Sequence, residues 1–157
     1  DVTKDYRGRK IEVSGQFRSY NRHEGVKNKL ILSIFVREMQ FIEEEEIPEE
    51  QARTNQIFLD GYVCKPPVYR KTPLGREIAD ILVALNRPYG KSDYIPCIAW
   101  GRNARYASTI EVGGHLQIWG RVQSREYTKK ISEEQVEKRV AYEVSVSKID
   151  VVEEEEA

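Results

Sequence analysis

Residues 94–107, with the sequence YIPCIAWGRNARYA, combine aromatic rings and arginines in a pattern that could bind nucleic acid. In an extended strand, Tyr94 and Trp100 would lie on one face and the small apolar residues between them on the other. Flat rings beside Arg102 and Arg105 are suited to stacking bases next to phosphates. The alternative interpretation is an ordinary half-buried strand with exposed aromatics. Only the first interpretation requires the surrounding elements to form an open, basic surface.

The charges of the chain are segregated, although its formal net charge is only −1. Residues 65–130 contain twelve Lys and Arg against five Asp and Glu, whereas acids are concentrated at residues 43–50 and 153–156. A basic centre with acidic ends favours a polyanion-binding surface. The alternative interpretation is a solvated charged face without a partner.

The residues that commonly perform catalysis or bind metals are few and unpaired in the sequence. Cys64 and Cys97 form no CxxC motif and lie in apolar strand contexts, which predicts buried free thiols in a reducing compartment. His23 and His115 have no ligand-spaced partners, and no activated nucleophile or phosphate-cradling loop is evident. We therefore expect no metal, no cofactor and no enzyme activity.

Neither end of the chain carries a recognisable targeting or membrane segment. No apolar run approaches the length of a membrane span. Because the first residue is Asp1 rather than Met, we expect that the natural chain begins further upstream.

One pattern of two alternating strands occurs twice in the chain. Residues 8–20 (GRKIEVSGQFRSY) align at an offset of 105 with residues 113–127 (GGHLQIWGRVQSREY), so that Gly15 falls on Gly120. Further on, residues 30–46 align at an offset of 110 with residues 140–156, and both copies end in four glutamates. An internal duplication explains these matches better than a chance likeness of short strands. A glycine inside a long strand predicts a bulge or bend in each copy.

The residues around and between the two copies predict a small all-β domain. We expect strands at residues 56–64, 78–85, 94–100, 115–127 and 139–152, a loop at residues 66–75, a short helix at residues 103–110 and a polar loop at residues 128–138. The order β-β-β-α-β-β, with one short helix between the third and fourth strands, is typical of the five-stranded OB-fold barrel. A β-sandwich would need more strands and no helix in the middle of the chain.

The two copies are unequal, which divides the chain into regions. Residues 1–46 are predicted to be the C-terminal half of a truncated OB domain, residues 47–54 a linker, residues 55–152 a complete OB domain, and residues 153–157 an acidic tail. A strand pair alone is marginally stable at best. The first copy must therefore be completed by a missing segment, by another chain, or by packing on the second domain.

Residues 55–152 resemble the bacterial single-stranded DNA-binding protein family, most specifically in CIAWGRNA and IWGRVQSREY. Residues 8–42 resemble the last two strands of the same fold. The resemblance implies a tandem OB-fold variant that binds single-stranded DNA without sequence specificity in replication, repair and recombination. It also implies a cytoplasmic, nucleoid-associated protein that forms homo-oligomers, such as a dimer of two-OB chains, and that can meet replication proteins.

The resemblance and the physics of single-strand binding together define the candidate binding residues. The family's base-stacking positions fall on Tyr89, Tyr94, Trp100 and Tyr127. A further candidate ring is Tyr69, in a basic loop. The candidate phosphate partners are Lys and Arg in or beside the loops: Arg70, Lys71, Arg76, Arg87, Lys91, Arg102, Arg121, Arg125, Lys129 and Lys130.

Other interpretations remain open at this point. The barrel could serve mainly as a protein-interaction module, such as a primosome-type or accessory replication factor, or it could bind RNA. Trp119 is predicted to lie in a subunit contact rather than on a base platform, and Tyr106 and Tyr142 to be packing residues. In the first copy, Tyr20 and its neighbouring arginines could also contact DNA.

Overall fold

The structure, a computed structural model, describes residues 1–25, 27–43 and 54–153 of the chain. Its strands are β1 (Ile11–Glu24), β2 (Lys27–Phe41), β3 (Ile57–Val63), β4 (Val68–Lys71), β5 (Glu77–Asn86), β6 (Ser92–Trp100), β7 (His115–Lys130) and β8 (Val136–Val151). Within the described ranges, the helix α1 (Arg102–Ala107) lies between β6 and β7, and Pro88–Gly90 form a short 3-10 turn. The predicted linker and acidic tail fall almost wholly outside these ranges.

Strands β3 to β8 form one sheet that closes on itself. Its order is β3-β7-β8-β6-β5-β4, and a further pairing of β3 with β5 closes the barrel. Strand β6 pairs antiparallel with β5 along its length and parallel with β8 at Cys97 and Ile98. With α1 between β6 and β7, this topology confirms the predicted OB-fold barrel.

Strand β6 has one face in the barrel core and one face outside it, as its alternation predicts. Ile95, Cys97 and Ala99 are buried in the core, whereas Tyr94 and Trp100 lie on the other face. Burial raises the pKa of the Cys97 thiol well above its usual range, so this thiol stays protonated. Cys64 is only partly buried, which corrects the prediction for that residue.

The two copies of the repeat share one pairing register. Gly15 pairs with Val36 in β1–β2, and Gly120 pairs with Val146 in β7–β8, which reproduces both sequence offsets. Each hairpin has a register shift immediately before its glycine. A Cβ atom at Gly120 would lie 2.2 Å from the carbonyl oxygen of Ser145, so only glycine fits there. The predicted bends are confirmed.

Three element boundaries differ from the sequence prediction. The predicted loop 66–75 contains β4, because its residues pair antiparallel with the edge of β5. The helix ends at Ala107 rather than residue 110, where the Ser108 and Thr109 hydroxyls donate to backbone carbonyl oxygens of the last turn. The predicted loop 128–138 is mostly strand, because β7 and β8 continue their pairing out to Lys130 and Val136.

The β1–β2 hairpin packs on the barrel, which is one of the three ways in which it could be completed. Phe17 and Leu32 pack against the barrel core, and Ser19 bonds to β6 near its start. Helix α1 lies at the opposite end of β6, where Ala104 and Ala107 are buried in the core. Among the residues of the described ranges, no helix is long and apolar enough to cross a membrane.

Candidate nucleic-acid interface

Cross-strand pairing places several of the predicted binding residues on one outer face of the barrel. Residues that pair directly across strands share a face of the sheet. On β6, Trp100 and Ile98 share the outer face, and Ile98 lies beside Ser145 of β8. Ser145 in turn pairs with Arg121 of β7. By alternation the same face carries Tyr94 on β6, and Arg125 and Tyr127 on β7. We call this surface, which spans β5, β6, β8 and β7, the outer face.

The rings on β6 are accessible from the outer face. Tyr94 is 40% exposed, and Trp100 is half-buried at the end of the strand. The Cζ atom of Arg76 lies 5.4 Å from the centre of the Trp100 ring, within the range of a cation–π contact. Gly75 and Gly101 flank the two side chains and leave a shallow cleft there. A flat ring beside a guanidinium can stack a base and bind the adjoining phosphate.

A buried carboxylate orients one arginine on the β7 part of the outer face. Glu143 is only 5% exposed. It accepts hydrogen bonds from Gln123 Nε2 at 3.0 Å and from Arg125 Nε at 3.1 Å, because a buried charge must be paired. The ion pair with Glu143 raises the pKa of Arg125. The Arg125 guanidinium also lies 6.0 Å from the ring centre of Tyr127, so Glu143 holds a cation next to an exposed ring.

Strand β4 divides its predicted binding residues between two faces. Arg70 pairs with Ile78, which places it on the outer face, where its Nε lies 3.3 Å from Asp80 Oδ2. Tyr69 pairs with Ala79 and Lys71 pairs with Glu77, so both lie on the opposite face from Trp100. Desolvation and a hydrogen bond with Glu77 raise the pKa of Tyr69. The structure therefore does not bring Tyr69 and Lys71 together with the outer-face rings.

The β5–β6 connection presents one ring and engages one arginine. Tyr89 is fully exposed and has a φ of 75°, between Pro88 and Gly90 in the turn. Lys91 is exposed beside it. Arg87 instead forms an ion pair with Asp93, so its role as a phosphate ligand stays a prediction. The remaining predicted cations, Arg102 at the start of α1 and Lys129 and Lys130 at the end of β7, are exposed.

Three further aromatic residues were predicted to have roles other than base stacking. Trp119 packs against Phe58, with ring centres 5.1 Å apart, and Lys148 Nζ lies 4.7 Å from its ring centre. Its predicted place in a subunit contact stays a prediction. Tyr106 and Tyr142 are 43% and 58% exposed, so the prediction that they are packing residues is wrong.

Sequence reasoning missed three buried polar residues that position the candidate site. Asp93 and Ser19 bond to each other across the junction between the hairpin and the barrel, 74 residues apart in the chain. Glu143 holds Gln123 and Arg125. The one sequence signal for Glu143 is an isolated acid inside an apolar strand, since such an acid needs a partner when buried. Nothing in the sequence links Ser19 to Asp93.

A closed OB barrel with rings and cations on one outer face defines an oligonucleotide-binding type of fold. Residues 54–152 match the model of the single-strand binding protein family. This match covers more than half of the chain, and the chain belongs to that family.

The individual relatives agree with the family match. The chain is 34% identical over 80 residues to single-stranded DNA-binding protein 3 of Listeria innocua, covering 46% of this chain and 50% of that protein. It is 32% identical over 80 residues to single-stranded DNA-binding protein A of Bacillus subtilis, covering 46% of each. The chain thus spans about half the length of the curated relatives that it matches.

Solved structures extend the likeness of the fold to the first hairpin. The wild-type single-stranded DNA-binding protein from Thermus aquaticus superposes with a TM-score of 0.71 at 19% identity, covering 94% of this chain and 61% of that one. A deletion mutant of the same protein gives a TM-score of 0.74 at 20% identity. Coverage of 94% exceeds the barrel alone, so the shared fold includes part of residues 1–43.

Proposed function

We propose that this chain binds single-stranded DNA without sequence specificity and without catalysis, in DNA replication, repair and recombination. The observation that supports this most strongly is the shared outer face of Tyr94, Trp100 and Tyr127 with Arg121 and Arg125. Unpaired bases expose apolar faces that stack on such rings, and each stacked base contributes about 1–3 kcal/mol. Phosphates bind the neighbouring cations. Family membership supports the same activity.

The proposed roles follow from the placement of each side chain. Tyr94, Trp100 and Tyr127 stack bases on the outer face, and the exposed Tyr89 stacks a base at its edge. The proposed phosphate partners are the exposed cations on or beside this face: Arg70, Arg76, Lys91, Arg102, Arg121, Arg125, Lys129 and Lys130. Tyr69 and Lys71 would contact a strand only where it turns around the edge at β4.

Titration with oligo-dT tests the proposal. Binding should quench tryptophan fluorescence, because Trp100 lies on the outer face, and the affinity should fall steeply with added salt as counterions are released. Absence of both quenching and binding at low salt would contradict the proposal. Competition between DNA and RNA strands of matched sequence tests the preference for DNA. A partner interaction that survives Trp100→Ala and Tyr94→Ala, without any DNA binding, would instead favour a protein-interaction module.

We also propose that residues 1–46 are the C-terminal half of an OB domain. The hairpin repeats the register of β7–β8, including its bulge. Ile34 and Met39, at the positions of buried Val144 and Ile149, are 52% and 57% exposed. A unit of four strands and a helix, like residues 54–112, would cover them. In a chain that carries such a unit, hydrogen exchange at Ile34 and Val36 should slow, and unchanged exchange would contradict this assignment.

Assembly into homo-oligomers, contacts with replication proteins and a cytoplasmic, nucleoid-associated location complete the proposal. The exposed apolar side chains of the hairpin and the Phe58–Trp119 pair are surfaces that self-association could cover. Light scattering during size-exclusion chromatography tests the oligomeric state. A strictly monomeric mass at all concentrations would contradict the homo-oligomer.

A further inference from the structure

A buried polar cluster joins the β1–β2 hairpin to the start of β6. The Ser19 backbone N–H donates to Asp93 Oδ1 at 2.8 Å, and the Tyr94 backbone N–H donates to Ser19 Oγ at 2.7 Å. Arg87 Nε donates to Asp93 Oδ2 at 2.6 Å, and Arg87 Nη2 donates both to Asp93 Oδ1 and to the carbonyl oxygen of Ser19. We call Ser19, Arg87 and Asp93 the latch.

Two of the three latch residues are buried, and the side chain of the third, Arg87, is 29% exposed. Ser19 is 5% exposed and Asp93 3% exposed. Burial alone would raise the pKa of Asp93, but the hydrogen bonds from Arg87 and from the Ser19 N–H outweigh it and hold that pKa below its usual range. The carboxylate is therefore charged at neutral pH. Removing Arg87 would leave the buried Asp93 carboxylate without its ion-pair partner, which is strongly unfavourable.

The latch closes the base of the loop that presents Tyr89. Arg87 and Asp93 lie on either side of this loop, and the Arg87 backbone N–H donates to the Lys91 carbonyl oxygen at 2.7 Å. Next to Asp93, the backbone of Tyr94 is held by the hydroxyl of Ser19. Two proposed base-stacking rings thus depend for their placement on a serine from the hairpin.

We propose that Ser19, Arg87 and Asp93 are positioning residues for DNA binding, and that Arg87 acts by fixing Tyr89 and Tyr94 rather than by binding phosphate. This inference rests on the proposed function. The guanidinium of Arg87 already donates hydrogen bonds through Nε and Nη2 to Asp93 and to the Ser19 carbonyl oxygen. The hairpin thereby contributes to binding through the shape of the barrel's loop, whether or not the hairpin itself touches DNA.

Salt-dependent titrations separate a positioning arginine from a phosphate-binding one. Anisotropy of a fluorescein-labelled oligo-dT is measured at several NaCl concentrations for wild type, Arg87→Ala, Asp93→Asn and Arg121→Ala, the last being a matched arginine on the outer face. We expect Arg87→Ala to weaken binding about tenfold with an unchanged slope of log K against log salt. Arg121→Ala should lower the magnitude of that slope by about one.

The Asp93→Asn substitution should change DNA affinity in opposite directions, depending on whether Arg87 binds phosphate or positions the loop. If Arg87 bound phosphate, loss of the neighbouring carboxylate would release the guanidinium and tighten binding. If Arg87 acts through the latch, Asp93→Asn should weaken binding about as much as Arg87→Ala does. Arg87→Lys keeps the charge but loses the two-pronged contact with Asp93, so it should not restore affinity.

A double-mutant cycle connects the latch to its target. Tyr89→Ala should reduce affinity less in the Arg87→Ala background than in the wild type, because the ring is already misplaced there. Circular dichroism checks that each variant is folded. Where Arg87→Ala or Asp93→Asn fails to fold, Arg87→Lys and Ser19→Ala perform the test. Ser19→Ala should weaken binding with an unchanged salt slope and speed exchange of the Tyr94 amide.

Three results would overturn the latch proposal: a reduced salt slope in Arg87→Ala like that of Arg121→Ala, tighter binding by Asp93→Asn, or unchanged affinity in the folded latch variants. Failure of wild type to bind oligo-dT at low salt would contradict the proposed function instead. The two failures are therefore distinguishable.

Discussion

The β1–β2 and β7–β8 hairpins have the same local structure but different surroundings. Both pair in the same register and both shift that register before a glycine. In β7–β8, Val144 and Val146 are 0% and 6% exposed, whereas their counterparts Ile34 and Val36 in β1–β2 are 52% and 46% exposed. The alternating pattern and the glycine therefore determine the shape of a hairpin, and the elements that pack on it determine its burial.

The two hairpins also differ in how arginines are held on the face of β7–β8 that carries Arg125 and on the corresponding face of β1–β2. On β7–β8, the buried Glu143 pairs with Arg125. Its counterpart on β2 is Ser33, which carries no charge. Arg18 on β1 lies over the Phe35 ring, 4.0 Å from its centre, and donates to Gln16. The barrel hairpin thus holds Arg125 with a buried carboxylate, whereas the first hairpin holds Arg18 against a ring.

Adding a side chain at the two bulge glycines should give the largest difference in stability loss between the two hairpins. Gly120→Val places a Cβ against the Ser145 carbonyl oxygen inside the closed barrel, and we expect a loss of about 3 kcal/mol or more in the free energy of unfolding. Gly15→Val meets the Phe35 carbonyl oxygen at 2.0 Å, but in a hairpin outside the barrel. Its main unfolding transition should move much less in urea titrations. Equal losses would show that the two hairpins unfold as one unit.

Truncation of matched valines should show the same difference in stability between the two hairpins. Val146→Ala removes buried methyl groups from the barrel and should lower the free energy of unfolding by about 2 kcal/mol. Val36→Ala, at the matched position, should change it by about 0.5 kcal/mol or less, because the side chain is half exposed. Thermal and urea unfolding measure both variants. A Val36→Ala loss as large as that of Val146→Ala would mean that the hairpin face is covered in solution.

Truncation of one aromatic residue on each hairpin compares their contributions to DNA binding. Tyr127→Ala removes a proposed base platform and should weaken oligo-dT binding by about 1–2 kcal/mol. Tyr20→Ala removes an exposed ring from the first hairpin, and we expect a smaller loss. Anisotropy titrations at one salt concentration provide both values. A larger loss for Tyr20→Ala would move the centre of the binding surface to the hairpin.

The pH dependence of the junction should be the smallest effect. The pKa of Asp93 is lower in the folded state, so its contribution to stability is complete above the unfolded value of about 3.9 and is lost as pH falls through the lower folded value. The difference in unfolding free energy between wild type and Asp93→Asn should therefore be constant near neutral pH and shrink in acid. A difference that grows as pH falls would contradict the ion pair.

Features set by local pattern were predictable from the sequence. The alternation of residues 94–100 placed Ile95, Cys97 and Ala99 in the core, and Gly15 and Gly120 marked both bulges. The order of elements led to the barrel because one short helix between the third and fourth strands fits few other all-β folds.

Features set by contacts between distant residues were not predictable. Strand β4 exists because β5 offers it an edge, and its register, rather than its sequence, places Tyr69 on the far face from Trp100. The ion pair of Arg87 with Asp93 becomes a latch only when Ser19, from another part of the chain, arrives beside it. The sequence alone therefore does not show which arginines can bind phosphate and which are paired with a buried carboxylate.

The most direct test of the proposed binding surface compares oligo-dT binding by Tyr94→Ala/Trp100→Ala with that of Tyr142→Ala. Tyr142 is exposed and pairs with Ser124, so it lies on the opposite face from Arg125. Loss of both β6 rings should weaken binding at least about tenfold, because each stacked base contributes about 1–3 kcal/mol. Tyr142→Ala should bind like the wild type. Full affinity in the double variant, with both proteins folded by circular dichroism, would contradict the assignment of the outer face as the DNA-binding surface.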